Sequence, residues 1–214
     1  MKILFYGDSI TDMGRRREYD NLSDTAFAYG VGYPVFVAGE LMKNPEYEIV
    51  NRGIAGNKIV DLYARAKVDA WNHTPDVMSI LVGVNDVWHE VSRRDGVELE
   101  RWIRVYKMLI EDTKKHLPNV KLVICEPFIL DGVGTTQHMD HLIEVKKYAA
   151  AAKQIAEEYG AHFLPLQELL TNATAAAKPD TYLYDGIHPT AAGAKLIADA
   201  WLKLFREEIQ NENK

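Results

Sequence analysis

Five residues spread along the chain have the types that acyl transfer needs. Ser9 follows Gly7-Asp8 near the N-terminus, and Gly56 lies in the stretch NRGIAGN, residues 51–57. Asn85 lies in GVND, residues 83–86, and Asp185 and His188 lie in YDGIHPT, residues 184–190. A serine hydroxyl is a poor nucleophile until a base takes its proton, and a neutral imidazole at hydrogen-bond distance is the usual base. His188 is the candidate base for Ser9. Asp185, three residues earlier, is close enough across one turn to hold the other ring nitrogen and so fix the tautomer. A tetrahedral intermediate also needs donors for its negative oxygen. The candidates are the backbone N–H groups of Ser9 and Gly56 and the carboxamide of Asn85, with glycine at 56 leaving room for close backbone approach.

Groups so far apart in sequence meet only if the fold collects them. Five short apolar runs rich in β-formers, residues 3–6, 48–50, 77–82, 121–125 and 162–164, each end in a Gly, Pro, Asn or acid and read as strands. Helical periodicity fills the intervals, most clearly where Ala194, Ile197, Ala198, Trp201, Leu204 and Phe205 follow the i, i+3, i+4, i+7 rule. Alternating strand and helix implies a mostly parallel, doubly wound α/β sheet with helices on both faces. Ligands in such sheets sit at the carboxyl ends of the strands. Ser9, Gly56 and Asn85 each follow a strand end, and the connections over residues 10–32 and 127–139 are longer than packing requires.

The whole chain sets the bounds. Its 214 residues, 47% hydrophobic, suffice for one sizeable core, so a single domain over 1–214 is expected. Net charge is −6, and the basic residues are scattered apart from Arg15-Arg16-Arg17, which excludes an electrostatic footprint for nucleic acid. The Arg run reads as a solvated or subunit-contact surface, with a clamp for a substrate carboxylate the alternative. The lone cysteine, Cys125, forms no internal disulfide and reads as a small buried hydrophobe in a strand. The N-terminus lacks the apolar region of a signal peptide and no segment approaches eighteen apolar residues, so no membrane insertion and a cytoplasmic location are expected. The Ala-rich patches at 149–152 and 173–177 read as helix. Asp8 reads as a turn and helix-start residue, Asp86 as a supporting acid, and Gly53 and Gly83 as backbone requirements. His89, His138 and His141 fall near predicted loop rims and read as solvated, with substrate contact the alternative; His138 and His141 are the nearest to a metal-ligand pair but lack supporting carboxylates in a convincing arrangement. Trp88, three residues after Asn85, and Tyr184, next to Asp185, are substrate-binding candidates that would stack on a sugar ring or wall an acyl pocket, with plain packing the alternative.

GDS, the second glycine of NRGIAG, GVND and DGIHP resemble the four sequence blocks of the SGNH or GDSL hydrolase family, in the family's order, from Leu4 to about Gly193. The resemblance implies Ser9 as nucleophile, His188 as base, Asp185 as its orienting acid, and Ser9, Gly56 and Asn85 as the oxyanion hole. It further implies a flavodoxin-like three-layer α/β/α sandwich around a five-stranded parallel sheet, with no metal or organic cofactor. Family members cleave esters and thioesters, including acetylated sugars, lysophospholipids and short acyl esters. Ile10 stands where the family usually has Leu, a volume-conserving change. A narrower similarity, to the bacterial acetylxylan-esterase-like branch, rests on GDSITDMGR, GYPVFVAGEL, VNRGIAGNKIVDLYAR and GVNDVWHE. It implies a small-molecule or oligosaccharide acyl ester as partner, and deacetylation of acetylated xylo-oligosaccharides as the first expectation. A short-chain acyl or lysophospholipid esterase or thioesterase is the alternative enzyme. A non-catalytic carbohydrate-binding module on the same scaffold is the alternative from another class, and the five intact residue types argue against it. The sequence leaves a homo-oligomer open.

Overall fold

The structure, a computed structural model, describes residues 1–20, 25–175 and 177–211. Five strands, β1 (Lys2–Gly7), β2 (Glu48–Gly53), β3 (Val77–Leu81), β4 (Lys121–Cys125) and β5 (His162–Leu164), pair in parallel in the order β2-β1-β3-β4-β5. Each lies within a few residues of its sequence-predicted run. Ile3, Leu4, Phe5 and Tyr6 are all buried, as expected of a central parallel strand covered on both faces.

Nine helices surround the sheet among the described residues: α1 (Ser9–Asp12), α2 (Tyr33–Leu41), α3 (Ile59–Asp69), α4 (Val84–Arg93), α5 (Leu99–His116), α6 (Met139–Leu142), α7 (Val145–Tyr159), α8 (Gln167–Ala175) and α9 (Ala191–Leu204). Neighbouring residues of a strand point to opposite faces, and β1 shows which helices lie where. The Phe5 ring meets Tyr33 of α2 at 5.2 Å and Trp201 of α9 at 5.0 Å. Tyr6, one residue on, donates its hydroxyl to Leu62 O of α3 at 2.5 Å. Helices α2 and α9 pack together on the first face, while α3, α5 and α7 form a row on the second. The result is the expected α/β/α sandwich. At its centre Trp201 Nε1 donates to Ser79 Oγ at 3.0 Å, and Ser79 Oγ lies 3.4 Å from Cys125 Sγ. Burial pushes that thiol up to about 12, in keeping with an inert core cysteine.

Register explains why this fold can assemble a site. Gly7 pairs with Gly53 on one side and with Leu81 on the other. The carboxyl ends of β1, β2 and β3 therefore stand level, and the segments carrying Ser9, Gly56 and Asn85 leave the sheet at one edge. The chain passes from β1 to β2 on one side and then returns to β3 on the other, so this edge is also the topological switch point. The 10–32 connection holds α1 and two single helical turns, Arg17–Tyr19 and Ala26–Ala28, with residues 21–24 outside the described residues. The first Ala-rich patch lies inside α7. The second outlasts α8, which ends at Ala175, and its residue 176 is outside the described residues.

Candidate active site

Ser9 opens α1, with Asp8 as the N-cap: the Asp8 Oδ1 accepts from Ile10 N at 3.0 Å. This is the helix-start role expected of Asp8. The first N–H groups of a helix have no intrahelical acceptor, so the Ser9 amide stands among groups suited to bind a negative oxygen. Ser9 Oγ lies 2.8 Å from His188 Nε2, and His188 Nδ1 lies 2.6 Å from Asp185 Oδ2. The other carboxylate oxygen, Asp185 Oδ1, accepts from the backbone N–H groups of Ile187 at 2.9 Å and His188 at 2.7 Å.

The segment around His188 is held at both ends. Tyr184 N donates to His188 O at 3.1 Å, Leu183 and Pro189 form an antiparallel bridge, and Thr190 caps α9 by accepting from Gly193 N at 3.2 Å. Pro189 keeps His188 out of the helix that follows, as its position in the sequence predicts. The hydrogen bond from Asp185 raises the His188 pKa above the ordinary histidine value, against the opposing effect of burial; the negative charges of Asp185 and Asp8 add to the rise. For Asp185, partial burial acts upward, but the hydrogen bonds from the His188 ring and from the His188 and Ile187 amides hold it below the usual carboxylate value.

Gly56 and Asn85 are brought together as a pair. Asn85 stands in the first turn of α4, and its Nδ2 donates to Asn57 O at 3.1 Å, on the residue that follows Gly56. Gly56 adopts φ +82°, a left-handed conformation that favours glycine, with only the His89 ring of α4 near the position a side chain would take. The loop bearing Gly56 is tied to the one bearing Ser9: Ile54 N donates to Gly7 O at 3.0 Å and Ala55 N to Asp12 Oδ2 at 2.8 Å. Asn51 adds two more ties, with Nδ2 donating to Thr11 O at 2.7 Å and Tyr29 O at 2.8 Å.

Trp88 is half-buried on α4 and meets His138 edge to face at 5.9 Å, while Tyr184 is 51% exposed and lies parallel to the His188 ring at 5.7 Å. The 127–139 connection touches both sides of the site. His138 meets Trp88, and the backbone bonds Leu130 N to Gly186 O and Gly134 N to Asp185 O, both 3.0 Å, fasten the loop to the Asp185 segment. His141 is exposed beside Asp140, as expected of a solvated side chain.

Two expectations are corrected. Arg15 is not part of a solvated run: it is buried, donates Nε to Gly53 O at 2.7 Å and pairs with Asp20, which also pairs with Arg52. The end of β2 leaves a carbonyl that the guanidinium satisfies, and that need outweighs exposure. His89 is not at a rim either; it is buried on α4, one turn beyond Asn85.

Sequence reasoning missed Asp12, Asn51 and Arg65. Arg65 of α3 donates to Arg52 O at 2.8 Å, Gly7 O at 3.1 Å and Asn57 Oδ1 at 2.7 Å, and lies over the Tyr6 ring. One side chain thus joins the ends of β1 and β2 to the loop after Gly56. The available signal was an arginine three residues after Leu62, on the helix face that meets the sheet. Asp8 and Asp86 are both fully or nearly fully buried, and burial raises them to about 7 and about 8. Asp86 Oδ1 accepts from Ile59 N at 3.0 Å, which is the supporting role expected of it. Among the described residues, no cluster of His, Cys, Asp or Glu is arranged to hold a metal ion, and no helix is long and apolar enough to cross a membrane.

A flavodoxin-like sheet whose carboxyl edge carries a serine, a histidine and an aspartate in hydrogen-bonded series has the arrangement a serine esterase needs. The chain belongs to the GDSL-like Lipase/Acylhydrolase family, whose sequence model matches residues 5–196, and it is a carboxylic ester hydrolase. It is 34% identical over 210 residues to an acetylxylan esterase of Geobacillus stearothermophilus, covering 94% of this chain and 92% of that one. A crystal structure of that esterase superposes with TM-score 0.81 at 33% identity, over 94% of this chain and 92% of that one. Three further structures of it are catalytic mutants with a serine, an aspartate or a histidine replaced by alanine. A protein of Parabacteroides merdae described as a GDSL-like lipase superposes with TM-score 0.88 at 36% identity, over 94% of each chain.

Proposed function

We propose that this esterase removes short acyl groups, acetyl foremost, from acetylated xylo-oligosaccharides or related carbohydrates, with Ser9, His188 and Asp185 as a catalytic triad. The observation that carries the chemistry is the unbroken series from Ser9 Oγ to His188 at 2.8 Å and from His188 to Asp185 at 2.6 Å. What supports the substrate is the likeness to an acetylxylan esterase along 94% of the chain.

Ser9 Oγ attacks the ester carbonyl carbon while His188 Nε2 takes its proton. The carbonyl oxygen becomes an oxyanion held by the amides of Ser9 and Gly56 and the carboxamide of Asn85. The intermediate collapses, the carbon–oxygen bond to the alcohol breaks, and His188 returns the proton to the leaving oxygen. Water then attacks the acyl-enzyme with the same base, releasing the carboxylic acid and free Ser9. Asp185 keeps the proton on Nδ1 in the resting state, so that Nε2 is the acceptor facing Ser9.

Ser9→Ala tests the chemistry: kcat on p-nitrophenyl acetate should fall on the order of 10⁶-fold if the three residues act as a unit. Retention of most of the activity would remove Ser9 from the mechanism. A p-nitrophenyl ester series from acetate to dodecanoate tests the acyl group, since a steep fall beyond acetate is expected and a maximum at long chains would favour a lysophospholipid-type esterase. Products from acetylated xylo-oligosaccharides, assigned by NMR, test the alcohol.

A further inference from the structure

A groove of about 450 Å³ opens beside the triad, between the 127–139 loop and the segment leading to Asp185. Its size falls within the roughly 300–1,000 Å³ of small-molecule sites. Asp131, Thr136, Lys178 and Asp180 give it a polar lining, and Val133 and Tyr184 supply exposed apolar surface. The groove wall is continuous with the catalytic segment, because Leu130 and Gly134 are hydrogen-bonded to Gly186 and Asp185. Its one aromatic, Tyr184, lies parallel to the His188 ring.

Which half of an ester belongs there follows from proton transfer. His188 must hand its proton to the departing alcohol oxygen, so the alcohol leaves on the imidazole side of Ser9. The oxyanion donors serve the carbonyl oxygen, a different arm of the tetrahedral intermediate, and two of them, Gly56 and Asn85, are tied together through Asn57 O. A groove whose aromatic wall, Tyr184, lies parallel to the His188 ring is therefore placed on the alcohol side. A groove lined by an exposed aromatic ring, two carboxylates, an ammonium and a hydroxyl matches a sugar ring, which offers C–H groups on its faces and hydroxyls around its edge.

We propose that this groove is the subsite for the alcohol part of the substrate, holding a pyranose ring against Tyr184 with its hydroxyls directed to Asp180, Asp131 and Lys178. The assignment rests on the esterase reading above and adds where the saccharide sits and which residues select it.

The test compares kcat/KM on acetylated xylobiose with that on p-nitrophenyl acetate for the full chain and its Tyr184→Ala, Tyr184→Phe and Asp180→Ala variants. Tyr184→Ala should lower the saccharide-to-nitrophenyl ratio roughly 3- to 10-fold, mainly through KM, and Tyr184→Phe should restore it. Asp180→Ala, at an exposed position where folding is not at stake, should lower the same ratio. If Tyr184→Ala lowers both substrates by one factor, the ring acts only through His188 and the subsite is overturned. An unchanged ratio in both variants overturns it as well, as does a change in acyl-length preference, which would put the acyl chain in the groove. A wild-type enzyme that cleaves p-nitrophenyl acetate but not the acetylated saccharide overturns the carbohydrate reading itself, and the pyranose subsite falls with it.

Discussion

Replacing Asp185 by asparagine should cost more than the loss of one charge. The carboxylate takes three hydrogen bonds: His188 Nδ1 on one oxygen, and the amides of Ile187 and His188 on the other. An asparagine has one acceptor oxygen and an NH₂ group. If its oxygen keeps the two backbone donors, the NH₂ faces Nδ1 and can only donate to it. The imidazole then carries its proton on Nε2, where it meets the Ser9 hydroxyl as a donor and cannot act as a base. Rotating the amide restores the Nδ1 bond but sets NH₂ against two N–H groups, leaving two donors unpaired in a half-buried turn. Two backbone bonds outweigh one, so the unproductive tautomer should prevail. The expected loss in kcat is roughly 10⁴-fold, or about 5.4 kcal/mol of transition-state stabilisation. The assay is hydrolysis of p-nitrophenyl acetate by freshly purified protein, with circular dichroism to confirm the fold. Asp185→Ala, which imposes no tautomer, should lose no more than Asp185→Asn. An Asp185→Asn enzyme that kept above about a tenth of wild-type kcat would refute the reasoning, because the tautomer would then not be set by this contact.

Other outcomes follow from the same geometry. His188 works as a base only when neutral, and its hydrogen bond to Asp185 raises its pKa, so the acidic limb of kcat/KM should have its midpoint above the ordinary value of about 6.5 and move down in Asp185→Ala. Asn85→Ala should lower kcat roughly 10²–10³-fold for one lost oxyanion donor; a change confined to KM would assign Asn85 to ground-state binding. Asp86 has a folded pKa raised to about 8 by burial. Its contribution to stability is thus complete below the unfolded carboxylate value of about 4 and is lost as pH rises through 8. Thermal melts of Asp86→Asn should therefore gain on wild type between about pH 5 and pH 9, and a constant difference would place the ionised form in the native state. Gly56→Ala has room for its Cβ and should cost only the left-handed backbone term, about 1–2 kcal/mol in chemical denaturation. Gly53→Ala would drive its Cβ into the Asp12 backbone and should cost clearly more.

The sheet was legible because its strands are buried on both faces and therefore appear as continuous apolar runs, such as residues 3–6, that end at turn formers. The catalytic candidates were legible because each follows a strand end or precedes the last helix, where chemistry gathers in this architecture. What remained hidden was the set of polar residues that fasten one strand end to the next. Arg15 looks solvated in a run of three arginines, yet the Gly53 carbonyl and Asp20 draw it into the interior. Asp12 looks like any loop acid, yet it holds Ala55 N, one residue before Gly56. Neither role has a sequence signature, because Gly53 O and Ala55 N are brought to Arg15 and Asp12 by the pairing of β1 with β2 and not by local spacing. His89 differs: it lies four residues after Asn85, and the helical period alone places it on the same side of α4.

The two buried acids next to Ser9 and Asn85 sharpen the electrostatic picture. Asp8 and Asp86 each bond one backbone N–H, at Ile10 and Ile59, and their second oxygens have no partner among the described residues. Burial favours their neutral forms, Asp86 with a pKa of about 8 and Asp8 with one of about 7, so at neutral pH Asp86 is mainly protonated while Asp8 is in the middle of its titration. This leaves Asp185 as the main carboxylate facing His188. In the proposed mechanism His188 is neutral at rest and cationic in the transition state. Both acids favour the imidazolium at rest as well as in the transition state, Asp185 most strongly through its hydrogen bond and Asp8 through its charge when ionised. The Asp8 side chain accepts from Ile10 N and so shapes the first turn of α1, the turn that carries Ser9.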